Sequence, residues 1–173
     1  MQKQREEGKL QKKYLALAEG HLSEATDSVF WKEIAIPLAP DPENPMKMTI
    51  SPDGLLPGSR NAVTYYKNIK NFGNVTLVEL QLETGRTHQI RVHMAGIGHP
   101  LLGDTMYNPR VCLKMSNSKE KKNTEGRINN RNDCFKRAAL HAWKLTFCHP
   151  FTDEIITLEA PLPDDFCRFL NAN

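Results

Sequence analysis

Between Asn74 and Gly98 the hydrophobic pattern changes period, and this change limits the possible folds more than any other feature of the chain. In "NVTLVELQLETG", Val75, Leu77, Glu79 and Gln81 alternate with Thr76, Val78, Leu80 and Leu82. Successive strand residues point to opposite faces, so one face is apolar throughout and the other turns polar along its length. Gly85 closes this strand. In "THQIRVHMAGIG" the spacing becomes helical: Ile90, Met94 and Ile97 fall at i, i+4 and i+7. Thr87 is the expected N-cap. Gly96 and Gly98, with Pro100 behind them, are expected to end the helix.

The rest of the chain adds strands around this unit. "KKYLALAEG" reads as a strand closed by Gly20, although its leucines and alanines also suit a helix. A run through Val63, Tyr65 and Ile69, the segment "AALHAWKLTFCHP" and the segment "EIITLEAPLP" read as further strands. Pro37, Pro40, Pro42 and Pro45 predict an irregular surface loop. "DDFCRFLNAN" predicts a short closing helix capped by Asp164, with Phe166 and Phe169 or Leu170 on one face. Residues 1–13 are polar and helix-permissive up to Gly8. Residues 111–134, rich in Lys, Asn, Ser, Glu and Gly, are expected to form a long mobile basic insertion. Several antiparallel-type strands with few helices predict an α+β fold in one domain.

Composition narrows the function classes. The chain has 173 residues, 39% hydrophobic and 25% charged, as an ordinary globular domain does. A net charge of +3 favours nucleic acid only weakly, and its distribution says more. Basic residues gather in 3–13 and again in 110–137, which are candidate phosphate contacts or solvated faces. Cys112, Cys134, Cys148 and Cys167 form no C-x-x-C pair and are expected to be reduced. The charged N-terminus and the lack of a long apolar run predict a soluble protein without membrane attachment, cytoplasmic or within an organelle.

Three chemistries compete for "LETGRTHQIRVHMAGIGHPLLGD". Metal binding fits poorly, because His88 and His93 are five apart with no acid between them. H-E-x-x-H needs a spacing of four to put both rings on one helix face. No metal is expected. Acid–base chemistry has Asp104 as a candidate carboxylate, but an aspartate beside a turn glycine more often bonds the backbone. Cys148 and His149, as neighbours on a strand, point to opposite faces and are no nucleophile–base pair. Anion binding suits Arg86 at the strand-to-helix turn and Arg91 one turn into the helix. A cation so near a helix start opposes the dipole. Either solvation or a specific carboxylate or phosphate partner accounts for Arg91.

The stretch "LETGRTHQIRVHMAGIGHPLLGDTMYN" closely resembles the arginine-containing motif of the RluA-type RNA pseudouridine synthases. "QKKYLALAEG" resembles the tyrosine motif of that family. "KMTISPDG", "NAVTYY" and "ALHAWKLTFCHPFTDEIITLEAPLPDDF" resemble its later core strands, in the same order. The resemblance implies isomerisation of uridine to pseudouridine in ribosomal or transfer RNA. The base is detached at nitrogen, rotated and rejoined through carbon, after being flipped out of the RNA. It implies a mixed, largely antiparallel sheet, no metal and no organic cofactor, and we expect a monomer. Tyr14 would pack against the flipped base, and Arg91 would pair with the catalytic aspartate and keep it ionised. Arg86, Thr87 and His88 would serve substrate binding or positioning, and Leu158 would lie near the site.

The family's aspartate stands in an "HRLDxxTSG" motif ahead of the tyrosine segment. No such motif occurs in these 173 residues, where every aspartate follows Tyr14. The resemblance therefore implies that residues 1–173 form the C-terminal part of a catalytic domain, inactive alone and with an exposed sheet edge that limits stability. The alternative is a non-catalytic RNA-binding protein, or a remnant, derived from the same fold.

Overall fold

The computed structural model describes Gln4 and residues 10–22, 30–111 and 135–172. The helix-permissive stretch before residue 10 and the insertion expected over 111–134 lie, apart from Gln4 and Val111, outside the described residues. Eight strands and two helices are assigned within them. The strands are β1 (Gln11–Glu19), β2 (Lys32–Ala35), β3 (Leu38–Pro40), β4 (Met48–Ile50), β5 (Val63–Asn71), β6 (Val75–Leu82), β7 (Leu140–Cys148) and β8 (Ile155–Glu159). The helices are α1 (Gln89–Gly96) and α2 (Asp164–Asn171).

Six strands form one sheet in the order β2-β5-β6-β1-β7-β8. Every pairing in it is antiparallel. The fold is α+β, and the sheet is more uniform than the mixed one expected. β5 and β6 meet at a tight turn where Phe72 and Val75 exchange backbone bonds, at 2.7 and 3.2 Å. β3 and β4 pair as a separate two-stranded ribbon, so the proline-rich segment is partly ordered, with Pro40 as the last residue of β3.

Alternation in the central strand β1 divides the core into two. Ala16 and Ala18, with Tyr14, join Val78, Leu80, Ile90 and Met94 on the α1 side. Leu15 and Leu17 join Leu77, Phe166 and Phe169 on the α2 side. β6 is covered on both faces and is buried from Val75 to Leu80. Phe166 and Phe169 are 0% and 3% exposed, and their burial contributes roughly 1.5–3 kcal/mol each. α2 starts one residue earlier than the expected cap allows. Pro163 is its N-cap and Asp164 is already helical, where its charge still favours the helix dipole.

α1 lies between the sheet and the ribbon. Val92 packs with Leu38 and Ala62, against Met48, Ile50 and Tyr107. A Cβ on Gly96 would come within 2.9 Å of Ile50, so glycine permits this close approach. The helix ends as its glycines predict. Gly98, at φ +85°, donates to Ala95 at 3.0 Å, and His99 donates to Met94 at 2.8 Å. The chain then returns to the sheet: Glu19 donates to Pro100 at 2.9 Å and Leu102 donates to Leu17 at 2.9 Å. That return delivers Asp104 beside α1.

Candidate active site

The strand-to-helix turn is not capped by Thr87, as the sequence suggested. His88 is the N-cap residue, in the left-handed region at φ 54°, with no side-chain capping bond, and Thr87 is exposed. The turn is held instead by Gln89. Its Oε1 accepts from the Arg86 N–H and the Thr84 hydroxyl, both at 2.9 Å. Its Nε2 donates to the Val63 carbonyl at 2.9 Å and the Thr64 hydroxyl at 3.0 Å. This amide therefore fastens the start of α1 to β5.

A second buried polar chain continues from Thr64. His93 Nε2 lies 2.9 Å from the Ile36 carbonyl, which can only accept, so Nε2 carries the proton. Nδ1, 2.8 Å from Thr64 Oγ1, then accepts from that hydroxyl. Thr64 accepts from Gln89 and donates to His93, and every group is satisfied. Burial lowers the His93 pKa, in keeping with a neutral ring, although the Ile36 bond opposes the shift. His93 therefore has a structural position.

Arg91 has a defined partner. Its Nε donates to Asp104 Oδ2 and its Nη2 to Asp104 Oδ1, each at 2.8 Å. The Asp104 side chain is 0% exposed and that of Arg91 20% exposed. Oδ1 also accepts from the Met106 and Tyr107 N–H groups, both at 3.0 Å. Asp104 thus bonds its turn backbone, as its context suggested, and is also the carboxylate that Arg91 required. The resemblance pairs Arg91 with an aspartate ahead of Tyr14; within the described residues the partner of its Nε and Nη2 is Asp104, across the return loop. Burial pushes the Asp104 carboxyl up, but Arg91 and the two N–H groups outweigh it and hold it below the usual range. The bond to Asp104 pushes the Arg91 pKa up. Two sides of the guanidinium fork are committed, and Nη1 has no partner among the described residues.

Tyr107, which sequence reasoning passed over, ties these pieces together. Its hydroxyl accepts from the Met48 N–H at 2.9 Å and lies 2.9 Å from His88 Nδ1. The Arg91 guanidinium lies 4.9 Å from its ring centroid. Burial, and then the charge of Arg91, push the His88 pKa down. Arg86 donates from Nε to the Asn61 carbonyl at 3.0 Å, bracing the loop before β5.

Tyr14 and Leu158 stand on strands of the sheet, not on the turn that carries Arg91. Both line an open cavity of about 360 Å³ over β1, β7 and β8, together with Lys12, Ala142 and Leu145. The structure brings Tyr14 and Leu158 together, and separately gathers Arg86, His88 and Arg91 at the start of α1. The Tyr14 side chain packs against the cluster that holds Ile90 and Met94, which flank the Arg91 turn. Among the described residues no group of three His, Cys, Asp or Glu is placed to hold a metal ion, and no helix is long and apolar enough to cross a membrane.

The sequence profile of a family described as RNA pseudouridylate synthase matches residues 1–96. The chain belongs to the RNA pseudouridylate synthase family. It is 49% identical over 116 residues to ribosomal large subunit pseudouridine synthase D of Haemophilus influenzae, covering 67% of this chain and 34% of that protein. It is 38% identical over 173 residues to an uncharacterized RNA pseudouridine synthase of Bacillus subtilis, covering 97% of this chain and 47% of that one. Among solved structures, human RNA pseudouridylate synthase domain containing 4 superposes with a TM-score of 0.70 at 25% identity, over 98% of this chain and 64% of that chain. The chain thus spans between about a third and a half of the length of these curated relatives. The family's fold accounts for the antiparallel sheet, and the arginine motif lies where that sheet passes into α1.

Proposed function

We propose that this chain provides part of the active site of an RNA pseudouridine synthase acting on a uridine of ribosomal or transfer RNA. The observation that carries the reading is the Tyr14–Leu158 cavity. Its volume of about 360 Å³ is that of a small-molecule site, with an aromatic ring and an apolar side chain where a flipped base needs a flat, water-excluding wall. Arg91, fixed by Asp104, keeps Nη1 available for a second carboxylate, which it would orient and hold ionised. Arg86, Thr87 and His88 shape the turn that carries it.

The reaction breaks the bond between the uracil nitrogen and the ribose. It then forms a carbon–carbon bond in its place; that ring carbon gives up its proton to solvent and the freed ring nitrogen takes one up. These 173 residues hold Tyr14 and Arg91 but no HRLDxxTSG segment, so by themselves they do not turn substrate over. The protein works in the cytoplasm as a monomer, without metal or organic cofactor.

The test is tritium release from RNA labelled at C5 of uridine. The 173-residue chain alone should release none. Supplied with a family segment bearing the aspartate, it should release tritium, and Tyr14→Ala should abolish this. Turnover by the chain alone, or no release from the completed protein, refutes the reading. RNA binding without release by the completed protein favours the non-catalytic alternative.

A further inference from the structure

The cavity has a second aromatic wall, which the reading above does not use. β1 and β7 pair regularly from Gln11 to Lys13 and from Tyr14 to Ala16, but the register slips between Lys13 and Tyr14. Lys13 faces Lys144 and Tyr14 faces Ala142, which leaves Trp143 as the extra residue of a β-bulge. A bulge bends its strand and re-aims a side chain away from the regular alternation. The Trp143 carbonyl accepts from the Ala160 N–H at 2.8 Å, so the bulge is tied to the chain just past β8. Trp143 lines the same cavity as Tyr14.

A lysine lies against the ring. Lys144 Nζ lies 4.7 Å from the Trp143 centroid and is ion-paired with Glu159. Lys12, Lys13, Lys144 and Glu159 line the cavity; Lys13 is ion-paired with Glu79 and Lys144 with Glu159, and Lys12 carries the uncompensated charge among them. A half-buried indole beside an aromatic pocket, with lysines at its rim, has the chemistry of a single-strand RNA contact. The rings take bases and the cations take the phosphates between them.

We infer that Trp143 stacks the nucleobase adjacent to the uridine held at Tyr14, with Lys12 and Lys144 against the intervening phosphates. Trp143 is then a positioning residue that helps to hold the RNA with its target base turned out. The inference rests on the proposed pseudouridine synthase function. Its occupant is single-stranded RNA, and a mere preference for polyanions is an outcome of the test.

The full chain is titrated with a short RNA containing one uridine flanked by purines, with the same RNA lacking one flanking base, and with heparin. In a Trp31→Phe background Trp143 is the sole tryptophan, and the intact RNA should quench its fluorescence. Trp143→Ala should weaken binding of the intact RNA about tenfold, the order of loss for one stacked base. Trp143→Phe, which keeps an aromatic face and controls for folding, should lose about twofold or less. The RNA lacking the neighbouring base should bind weakly and be indifferent to Trp143→Ala. Equal affinity of Trp143→Ala and wild type for intact RNA overturns the inference, as does an equal loss toward heparin. If wild type binds the RNA and Tyr14→Ala weakens it while Trp143→Ala does not, only this inference falls. If wild type does not bind the RNA, both fall.

Discussion

Asp104→Asn isolates the ion pair on which the candidate site is built. Asparagine retains the shape of the side chain and an oxygen that can accept from Met106 and Tyr107. It removes the charge and turns an amide N–H₂ toward the guanidinium. Breaking one side of a fully buried pair costs about 3–5 kcal/mol, whereas an exposed pair contributes about 0–1 kcal/mol. The Asp104 side chain is 0% exposed but that of Arg91 is 20% exposed, so water screens the remaining cation in part. We therefore expect about 3 kcal/mol, the low end of the buried range. For a chain of this size that lowers Tm by roughly 6–12 °C. Urea denaturation followed by circular dichroism reads the loss as a lower midpoint at unchanged slope. A cycle with Arg91→Met should return a coupling of about 2 kcal/mol. A loss below about 0.5 kcal/mol for Asp104→Asn, within the range of ordinary surface changes, would refute the buried-pair reasoning.

Further outcomes follow from the same geometry. The His93 pKa is lowered in the folded protein, so below the ordinary value of about 6.5 the unfolded chain binds a proton that the folded chain does not. Stability should therefore fall as pH drops from 7 toward 5, and His93→Gln should flatten that slope in urea titrations; an unchanged slope contradicts the assignment. Gly103 has φ +66°, and a Cβ there would come within 2.3 Å of the Arg137 carbonyl. Gly103→Ala should cost roughly 3 kcal/mol or more, read as loss of the cooperative thermal transition. Tyr65 donates to Glu83 at 2.6 Å, and its pKa is pushed up to about 12. Glu83→Gln should return that titration toward its ordinary value in ultraviolet absorbance, and a wild-type Tyr65 titrating at about 10 would contradict the bond.

Much of the fold can be read from local pattern. The alternation of β6, the switch to helical spacing at Ile90, the closing glycine of α1 and the Phe166–Phe169 face of α2 each depend on neighbours a few residues apart. What the sequence conceals depends on contacts between distant segments. Thr87 looked like the cap because capping is normally local, whereas Gln89 reaches across to Val63 and Thr64 on β5. Asp104 was visible thirteen residues after Arg91, but its nearness depends on the loop that returns to β1 through Pro100 and Leu102. The Trp143 bulge was hidden because a slip in register is a property of two strands, and β7 read alone is an ordinary strand. Burial then adds what no pattern carries: a turn aspartate enclosed on all sides became half of an ion pair.

Tritium release by the completed protein, comparing wild type with Arg91→Met, tests the central claim most directly. If Arg91 orients the reacting carboxylate, kcat should fall about a hundredfold or more with little change in KM, as expected when a reacting group is misplaced. The 173-residue chain by itself should release no tritium. Full activity of Arg91→Met in the completed protein would contradict the account.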